Sequence, residues 1–249
     1  MSVSNSGQPV FTSINCLTTL SGYNQSNSWG AVASYPFNGN ANDTSGNGFN
    51  GTIHNATLAT DRNGNANACY FFTGYNSGNP DYIELPNYSN FETSGEISIS
   101  LWCKMDNVGQ SPFLFTLTPD NPYDRVCGTY FWNSSTNYSP IWDHGNIYST
   151  GRLYSSSMIT PPTVGTWCHL VFVRSKSSNF MNIYYNGIQI ASTSNTTDIV
   201  NKNLPLRIGG GGYQSGQYNG YFIGYIDDFK IFNRALNSIE INQIYNSER

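Results

Sequence analysis

At 249 residues, the chain has room for one large all-β domain that buries its own core without help from disulfides or metal. Charged residues make up only 10% of it and the net charge is -4. This excludes a phosphate-neutralising nucleic-acid protein, a charged coiled coil and a charge-driven disordered chain. Its 24 glycines and 18 tyrosines, with many Asn, Ser and Thr, favour strands and turns over helix interiors. The composition therefore predicts an all-β protein.

The sequence shows no pattern typical of a membrane span or a signal peptide. No apolar run approaches the ~18 residues of a membrane helix, and the first residues lack a signal-peptide pattern, so we expect no membrane insertion. We divide the chain into an N-terminal segment, 1–31, expected to be an extra strand or an arm, and one domain, 32–249.

The cysteines in strand-like runs, which are Cys69, Cys103 and Cys168, are interpreted as small buried side chains, since no spacing fits a zinc site.

Short segments of alternating apolar and polar residues recur along the chain, separated by Gly, Asn or Pro. They are 32–37, 68–73, 81–85, 96–105, 113–117, 166–174, 179–185, 188–192, 206–209 and 220–232. This spacing predicts a two-sheet antiparallel β-sandwich of the jelly-roll kind. Asn186-Gly187 lies between two such segments and predicts a type I′ hairpin turn. Asn237, with Glu240 three residues later, predicts a capping box at the start of one short C-terminal helix.

Three stretches, in this order, carry a family resemblance: ASYPFNGNANDTSGN at 33–47 with Gly51-Thr52, DYIELP at 81–86 leading to ISISLW at 97–102, and GYIDDFKIFNRAL at 224–236. Together they resemble the laminin-G-like, concanavalin A-like jelly-roll family over about residues 32–246. The resemblance implies two packed antiparallel sheets. Because the family includes glycan-binding modules, adhesin domains and catalytic relatives, it specifies the fold more closely than the function.

Asp43 and Asp227 are candidates for a calcium site. The polar, glycine-bearing loop 43–48, which includes Asn47, can turn several oxygens toward one point, as Ca²⁺ requires. Asp227 lies two residues before Phe229, so the alternation places it on a face with apolar side chains, where a carboxylate needs a partner. The resemblance implies one structural calcium at the matching positions, with Asp43, Asn47 and Asp227 as ligands. The alternative is that backbone amides of the loop satisfy Asp227; Asp228 is expected to face solvent.

The acidic and histidine residues do not form a recognisable catalytic pattern. No run of closely spaced carboxylates matches the pair that a retaining glycosidase carries on one strand. His54, His144 and His169 have no nucleophile or acidic partner nearby in the sequence. The sequence therefore favours a protein that is not an enzyme.

Aromatic residues mixed with neutral polar ones are typical of carbohydrate sites, because sugar C–H faces stack on rings while polar groups bind the hydroxyls. Residues 121–154 and 213–221 show this mixture. The candidate ligand-binding residues are Tyr130, Trp132, Trp142, Asp143, Tyr148, Arg152, Tyr213, Tyr218 and Asn219. Trp102 and Trp167 match core positions of the family and are interpreted as packing residues.

We therefore expect a noncatalytic, lectin-like or adhesin module, extracellular or surface-displayed, that recognises a glycan or glycoconjugate and carries one calcium. Two alternatives stay open. In the first, the same tyrosine-rich face makes protein contacts in a structural, assembly or receptor-binding subunit, within a homo-oligomer or with neighbouring domains. In the second, residues from distant strands converge to form a polysaccharide hydrolase or lyase.

Overall fold

The computed structural model describes residues 29–76, 79–106, 113–117, 127–134, 137–145, 151–155, 164–195, 197–199, 201–210, 212–214 and 217–249. For 75–76, 127, 130–134, 137–138, 212–214 and 217–219 it describes the backbone alone. Residues 1–28, and with them most of the predicted N-terminal segment, lie outside these ranges.

The described residues form nineteen strands and one α-helix. The first nine strands are β1 Ala33–Tyr35, β2 Thr52–His54, β3 Thr57–Ala59, β4 Cys69–Thr73, β5 Tyr75–Asn76, β6 Asn79–Pro80, β7 Tyr82–Asn87, β8 Glu96–Met105 and β9 Phe113–Leu117. The others are β10 Cys127–Ser134, β11 Asn137–His144, β12 Arg152–Tyr154, β13 Trp167–Ser175, β14 Phe180–Tyr185, β15 Ile188–Thr193, β16 Pro205–Ile208, β17 Gly212–Gln214, β18 Gln217–Asn219 and β19 Ile223–Phe232. The helix, α1, is Ser238–Glu248, and Tyr88–Asn90 forms one 3₁₀ turn.

Two antiparallel sheets make the sandwich, so the predicted fold class is confirmed. The eight-stranded sheet has the order β15-β14-β13-β8-β19-β4-β3, with β1 also pairing β19. The seven-stranded sheet has the order β12-β11-β10-β9-β16-β7-β2. Since sequence neighbours are often not sheet neighbours here, residues far apart in the chain meet on each face.

The core lies between the two sheets. Phe172 of the eight-stranded sheet packs edge-on against Phe115 of the seven-stranded sheet, with ring centroids 5.6 Å apart. Phe229, also from the eight-stranded sheet, meets the same Phe115 ring at 6.0 Å. Cys103 and Cys168, on paired strands β8 and β13, are free and fully buried, as predicted. One apolar cluster thus joins both inner faces.

Local sequence signals produce two of these features directly. Asn186 and Gly187 have φ of 48° and 80°, the two positive values that a type I′ turn needs, and they connect β14 to β15. Asn237 Oδ1 accepts from the N–H groups of Ile239 and Glu240, while Glu240 Oε2 accepts from Asn237 N–H. The predicted hairpin turn and capping box are both confirmed.

Helix α1 lies on the outer face of the eight-stranded sheet. Its buried Ile241 and Ile244 join a second apolar cluster with Val171, Val173 and Phe232 of the sheet. This packing places the C-terminal end of the helix beside β19. No helix in the described part of the chain is long and apolar enough to cross a membrane.

A bulge in β19 changes which side chains face outward. The pairing of β19 with β8 shifts register between Asp227 and Lys230, and Asp228 adopts φ of 46°. Ile226, Phe229 and Ile231 point into the core, whereas Asp227 lies on the outer face. The predicted shared face of Asp227 and Phe229 is therefore wrong, because a bulge inserts one residue into the alternation.

Candidate functional site

Part of the predicted ligand-binding region forms an edge of the seven-stranded sheet, where β12 pairs with β11. Arg152 on edge strand β12 binds Asp143 with two hydrogen bonds, Nε to Oδ1 at 2.6 Å and Nη2 to Oδ2 at 2.7 Å. Tyr154 beside it is 54% exposed, and the Arg152 guanidinium carbon is 5.7 Å from its ring centroid. Because Asp143 is buried beneath Arg152, it positions the guanidinium and does not offer its own oxygens to a ligand.

Trp142 does not belong to this surface. Its side chain is fully buried and contacts the rings of Phe172 and His144, each at 5.8 Å between centroids. The alternation of β11 turns Trp142 inward and Asp143 outward. The prediction that Trp142 stacks on a sugar is therefore wrong, and the residue is part of the core.

The remaining predicted ligand residues are placed by backbone only or lie outside the described ranges. Tyr130 and Trp132 are in β10, where they pair with Ile141 and Ser139. The second predicted cluster is a hairpin, in which Tyr213 pairs with Tyr218 and Gly212 with Asn219. Tyr148 lies outside the described residues. Ligand contact by these residues stays a prediction.

The first predicted calcium ligand, Asp43, is bound by its own loop. Oδ1 accepts from the N–H groups of Ser34 and Ser45, both at 2.9 Å, and Oδ2 accepts from the Ser45 hydroxyl at 2.8 Å and the Phe49 N–H at 3.1 Å. Burial works in the opposite direction, but these hydrogen bonds lower the pKa of Asp43. Asn47 is exposed and donates to the Val32 carbonyl at 2.9 Å.

The second, Asp227, has a different partner from the one expected. Its carboxylate forms an ion pair with Arg62, which comes from the connection between β3 and β4. Among the described residues, no group of three or more His, Cys, Asp and Glu side chains could hold a metal. These side chains as placed do not present one set of oxygens to calcium, so calcium binding stays a prediction.

Arg62 belongs to a network of charges on the outer face of the eight-stranded sheet. Its Nη2 binds Asp228 Oδ2 at 2.6 Å, and its Nε donates to the Glu248 carbonyl at 2.8 Å. Lys230 binds Asp228 Oδ1 at 3.3 Å and Glu248 Oε1 at 2.8 Å. Asp228 is therefore ion-paired and mostly buried, which corrects the expectation that it faces solvent. The network joins α1, β19 and the β3–β4 connection.

The pKa values of the two adjacent aspartates, Asp227 and Asp228, are shifted in opposite directions. Burial, and then the neighbouring charge of Asp228, raises the pKa of Asp227 to about 8, against the opposing charge of Arg62. Burial also acts on Asp228, but the charges of Lys230 and Arg62 outweigh it and lower the pKa of that carboxyl. The side chain of Asp227 is only 3% exposed. A separation of pKa values is common in catalytic pairs, yet little of Asp227 is open to a substrate.

A polar cleft of about 790 Å³ opens above this network. It combines one exposed indole with amide, hydroxyl and charged side chains from four segments of the chain. The lining residues are Trp29, Ser34, Pro36, Asn38, Thr44, Asp61, Arg62, Asn63, Asn65, Ala68, Asp227, Asp228, Lys230, Ser247, Glu248 and Arg249. Trp29 is 38% exposed, and Asn38, Asn63 and Asn65 are all exposed.

One wall of the cleft is a turn built around Asp61. Its Oδ1 accepts from the N–H groups of Asn63 at 2.9 Å and Asn65 at 2.8 Å, and its Oδ2 accepts from Asn65 Nδ2 at 2.9 Å. An aspartate that binds the backbone of its own turn fixes the loop conformation. The turn therefore holds the Asn63 and Arg62 side chains in place at the cleft.

Beside the cleft, a row of four half-buried side chains crosses the outer face of the same sheet. Backbone pairing places Phe71 opposite Tyr225, Tyr225 opposite Lys104, and Lys104 opposite Trp167. The Lys104 ammonium is 3.9 Å from the Tyr225 ring centroid and 5.7 Å from that of Trp167. Phe71 and Tyr225 have centroids 4.8 Å apart. We call these four residues the cation–aromatic row.

The residue pattern of the sequence predicted neither the cleft nor this row. Trp102 is indeed buried, although under Arg62 and outside the main core, whereas Trp167 is half-exposed and belongs to the row. The cleft residues Asn63 and Asn65 stand in a Gly- and Asn-rich turn, DRNGNAN at 61–67, which is a visible turn signal. No sequence signal joins this turn to Asp227 or to Trp29.

The two packed antiparallel sheets define a β-sandwich of the concanavalin A-like class. The chain matches the family model described as the concanavalin A-like lectin/glucanases superfamily over residues 77–242, and it belongs to this family. The match confirms the resemblance seen in the sequence. No curated protein matches the chain closely enough to be counted as a relative.

Solved structures show the same fold at low sequence identity. Domain 4 of AbnA, a GH43 extracellular arabinanase from Geobacillus stearothermophilus solved with arabinotriose, has a TM-score of 0.64 at 20% identity, covering 86% of this chain and 98% of that domain. The botulinum neurotoxin serotype D ligand-binding domain with N-acetylneuraminic acid has a TM-score of 0.62 at 18% identity, covering 89% of this chain and 52% of that one. The binding domain of Paraclostridial Mosquitocidal Protein 1 has 0.60 at 19%, covering 83% and 49%. The chain spans about half the length of the two toxin domains.

Proposed function

We propose that this protein is a noncatalytic carbohydrate-recognising module that binds a saccharide in the polar cleft. The observation that carries the proposal is the cleft itself, where the exposed Trp29 ring stands among the amides of Asn38, Asn63 and Asn65. An aromatic face with neutral hydrogen-bonding groups matches the two sides of a sugar ring. The solved neighbours with arabinotriose and N-acetylneuraminic acid support the same class of ligand.

The carboxylates of the cleft support binding without catalysis. Asp227 and Asp228 bind Arg62, Glu248 binds Lys230 and Trp102, and Asp61 binds the N–H groups of its own turn. General acid catalysis requires a carboxyl within hydrogen-bond reach of the leaving oxygen. These four carboxylates are committed to protein donors, and they hold the shape of the cleft.

Calcium at Asp43, Asn47 and Asp227 is a separate proposal, supported by the oxygen-rich loop 43–48. In this second proposal, the carboxylate of Asp227 leaves the guanidinium of Arg62 and binds the calcium ion instead. Carbohydrate binding in the cleft does not require this exchange.

The test is a glycan array probed with the purified chain and with two cleft variants. Trp29→Ala removes the ring and Asn63→Ala removes one exposed amide. We expect each to weaken binding to the best array ligand by about tenfold, because one stacking or hydrogen-bonding contact is lost. The matched control is Tyr154→Ala, which removes an exposed ring from the opposite sheet and should leave the affinity unchanged.

Three results would overturn the proposal. Loss of binding in Tyr154→Ala but not in Trp29→Ala would move the site to the β12 edge. A stable symmetric oligomer without affinity for any glycan would favour an assembly subunit. Shortening of a polysaccharide during incubation, measured as new reducing ends, would make the protein an enzyme.

A further inference from the structure

Lys104 differs from the other cations on the outer face of the eight-stranded sheet. Arg62 and Lys230 are each paired with carboxylates. Among the residues that the structure describes, no carboxylate lies within ion-pair distance of Lys104 and no acceptor binds its ammonium. Its contacts there are with the rings of Tyr225 and Trp167.

Two rings hold this ammonium in place without neutralising it. A cation over an aromatic face gains electrostatic attraction from the ring, and the strands on either side of β8 set the positions of both rings. The ammonium keeps its three N–H donors. Because the lysine stem is already held against the rings, binding of an anion costs little additional conformational entropy of this side chain. The row therefore presents a preorganised positive charge.

The cation–aromatic row is continuous with the cleft. Tyr225 lies two residues before Asp227 on β19, and Lys104 lies two residues after Trp102 on β8, so each pair shares the outer face. Asp227 and Trp102 also pair directly, and Arg62 at the cleft covers the Trp102 ring with its Cζ 4.5 Å from the centroid. A chain-like ligand that leaves the cleft along the strands reaches Lys104 within one side-chain repeat, about 7 Å.

We propose that the ligand is an acidic saccharide chain, with a neutral sugar in the cleft and an anionic group, carboxylate or sulfate, on Lys104. The inference rests on the carbohydrate binding proposed above and adds the chemical class of the ligand. A charge-assisted hydrogen bond from Lys104 to the anion is stronger than one to a neutral hydroxyl. Tyr225 and Trp167 lie on either side to contact the sugar C–H groups.

Replacing Asp106 should change the affinity for an acidic saccharide in the opposite direction from replacing Lys104. It is exposed, lies directly after the end of β8 and two residues after Lys104, and interacts electrostatically with Tyr225. Its negative charge repels an anion on the row. Asp106→Asn should therefore strengthen binding of an acidic saccharide, whereas Lys104→Gln should weaken it.

The experiment compares each acidic saccharide with a neutral counterpart by isothermal titration at low and high salt. The pairs are polygalacturonate with its methyl ester, sialyllactose with lactose, and dextran sulfate with dextran, so carboxylate and sulfate are separate arms. We expect at least one acidic member to bind more tightly than its counterpart and more weakly at high salt. Lys104→Gln should reduce that binding about fivefold, Lys104→Arg should retain it, and Asp106→Asn should increase it.

The possible results distinguish a failure of the acidic-ligand inference from a failure of the carbohydrate-binding proposal. If a neutral saccharide binds and Trp29→Ala abolishes the binding, but no acidic member is preferred or Lys104→Gln changes nothing, the cleft proposal stands and the acidic class is wrong. If no saccharide of either kind binds, both fail. Binding of dextran sulfate alone that Lys104→Gln does not alter reports nonspecific charge attraction and also overturns the inference.

Discussion

Arg62 covers the ring of Trp102, with its guanidinium carbon 4.5 Å from the ring centroid. The two residues come from the β3–β4 connection and from β8, and Trp102 Nε1 donates to Glu248 Oε2 at 3.0 Å. The same guanidinium binds Asp227 and Asp228. Arg62 thus lies at the floor of the cleft and links its own β3–β4 connection to three other segments, β8, β19 and α1.

Arg62→Ala should destabilise the protein. Above pH 8, where Asp227 is ionised, it leaves that buried carboxylate without its cation, and breaking a buried pair by removing one partner costs about 3 kcal/mol or more in the free energy of unfolding. Urea unfolding followed by tryptophan fluorescence measures the change. The double variant Arg62→Met with Asp227→Asn removes both charges and should recover at least half of the loss; if it is as unstable as Arg62→Ala, the pairing is not the cause.

Trp142→Ala tests whether Trp142 is a core residue and not a ligand-binding one. Because the ring fills the core against Phe172, its removal leaves a cavity and should lower the unfolding free energy by about 3–5 kcal/mol. Saccharide affinity, measured at a temperature where the variant is folded, should not change. A stable variant that has lost saccharide binding would restore Trp142 as a ligand residue.

The calcium proposal predicts a change in thermal stability. An ion that binds only the folded state raises the melting temperature, so calcium chloride should raise it and excess EDTA should lower it. Asp43→Asn removes one predicted ligand charge, and the difference between the two buffers should disappear in this variant. Equal melting of the unaltered protein in calcium and in EDTA would contradict a calcium site.

Buried His169 should contribute a loss of stability in mild acid, while Asp227, whose pKa is raised, contributes in the opposite direction. Burial, reinforced by the charges of Lys230 and Arg62, lowers the pKa of His169 to about 3 from its usual 6.5. Below pH 6.5, His169 binds a proton in the unfolded chain but not in the folded chain, so the stability that its neutral form contributes at pH 7 is lost as the pH falls toward 3. The loss from His169 between pH 7 and pH 5 is about 2 kcal/mol.

Urea unfolding of the unaltered protein and of His169→Gln across this pH range isolates that loss as the difference between their two pH dependences. His144 contributes in the same direction, since burial lowers its pKa well below 6.5, so part of the acid sensitivity should persist in the variant. An unchanged slope in His169→Gln would show that His169 is not the titrating group.

The features that the sequence predicted correctly depend on nearby residues. The Asn186-Gly187 turn and the Asn237 capping box each require only a few adjacent positions. The alternation of strand residues gave the class of sandwich, and the family motifs named it. Alternation failed at Asp227, because the bulge in β19 reverses the face without leaving a sign in the residue pattern.

Both candidate surfaces depend on contacts between distant residues. Arg62 meets Asp227 across 165 positions of sequence, and the cation–aromatic row takes one side chain from each of four strands. The order and register of those strands follow from how the two sheets pack, and one residue of shift would turn every side chain to the other face. The sequence by itself thus determined the fold class, the turns and the helix cap. Tertiary packing alone decided which charges and rings share a surface.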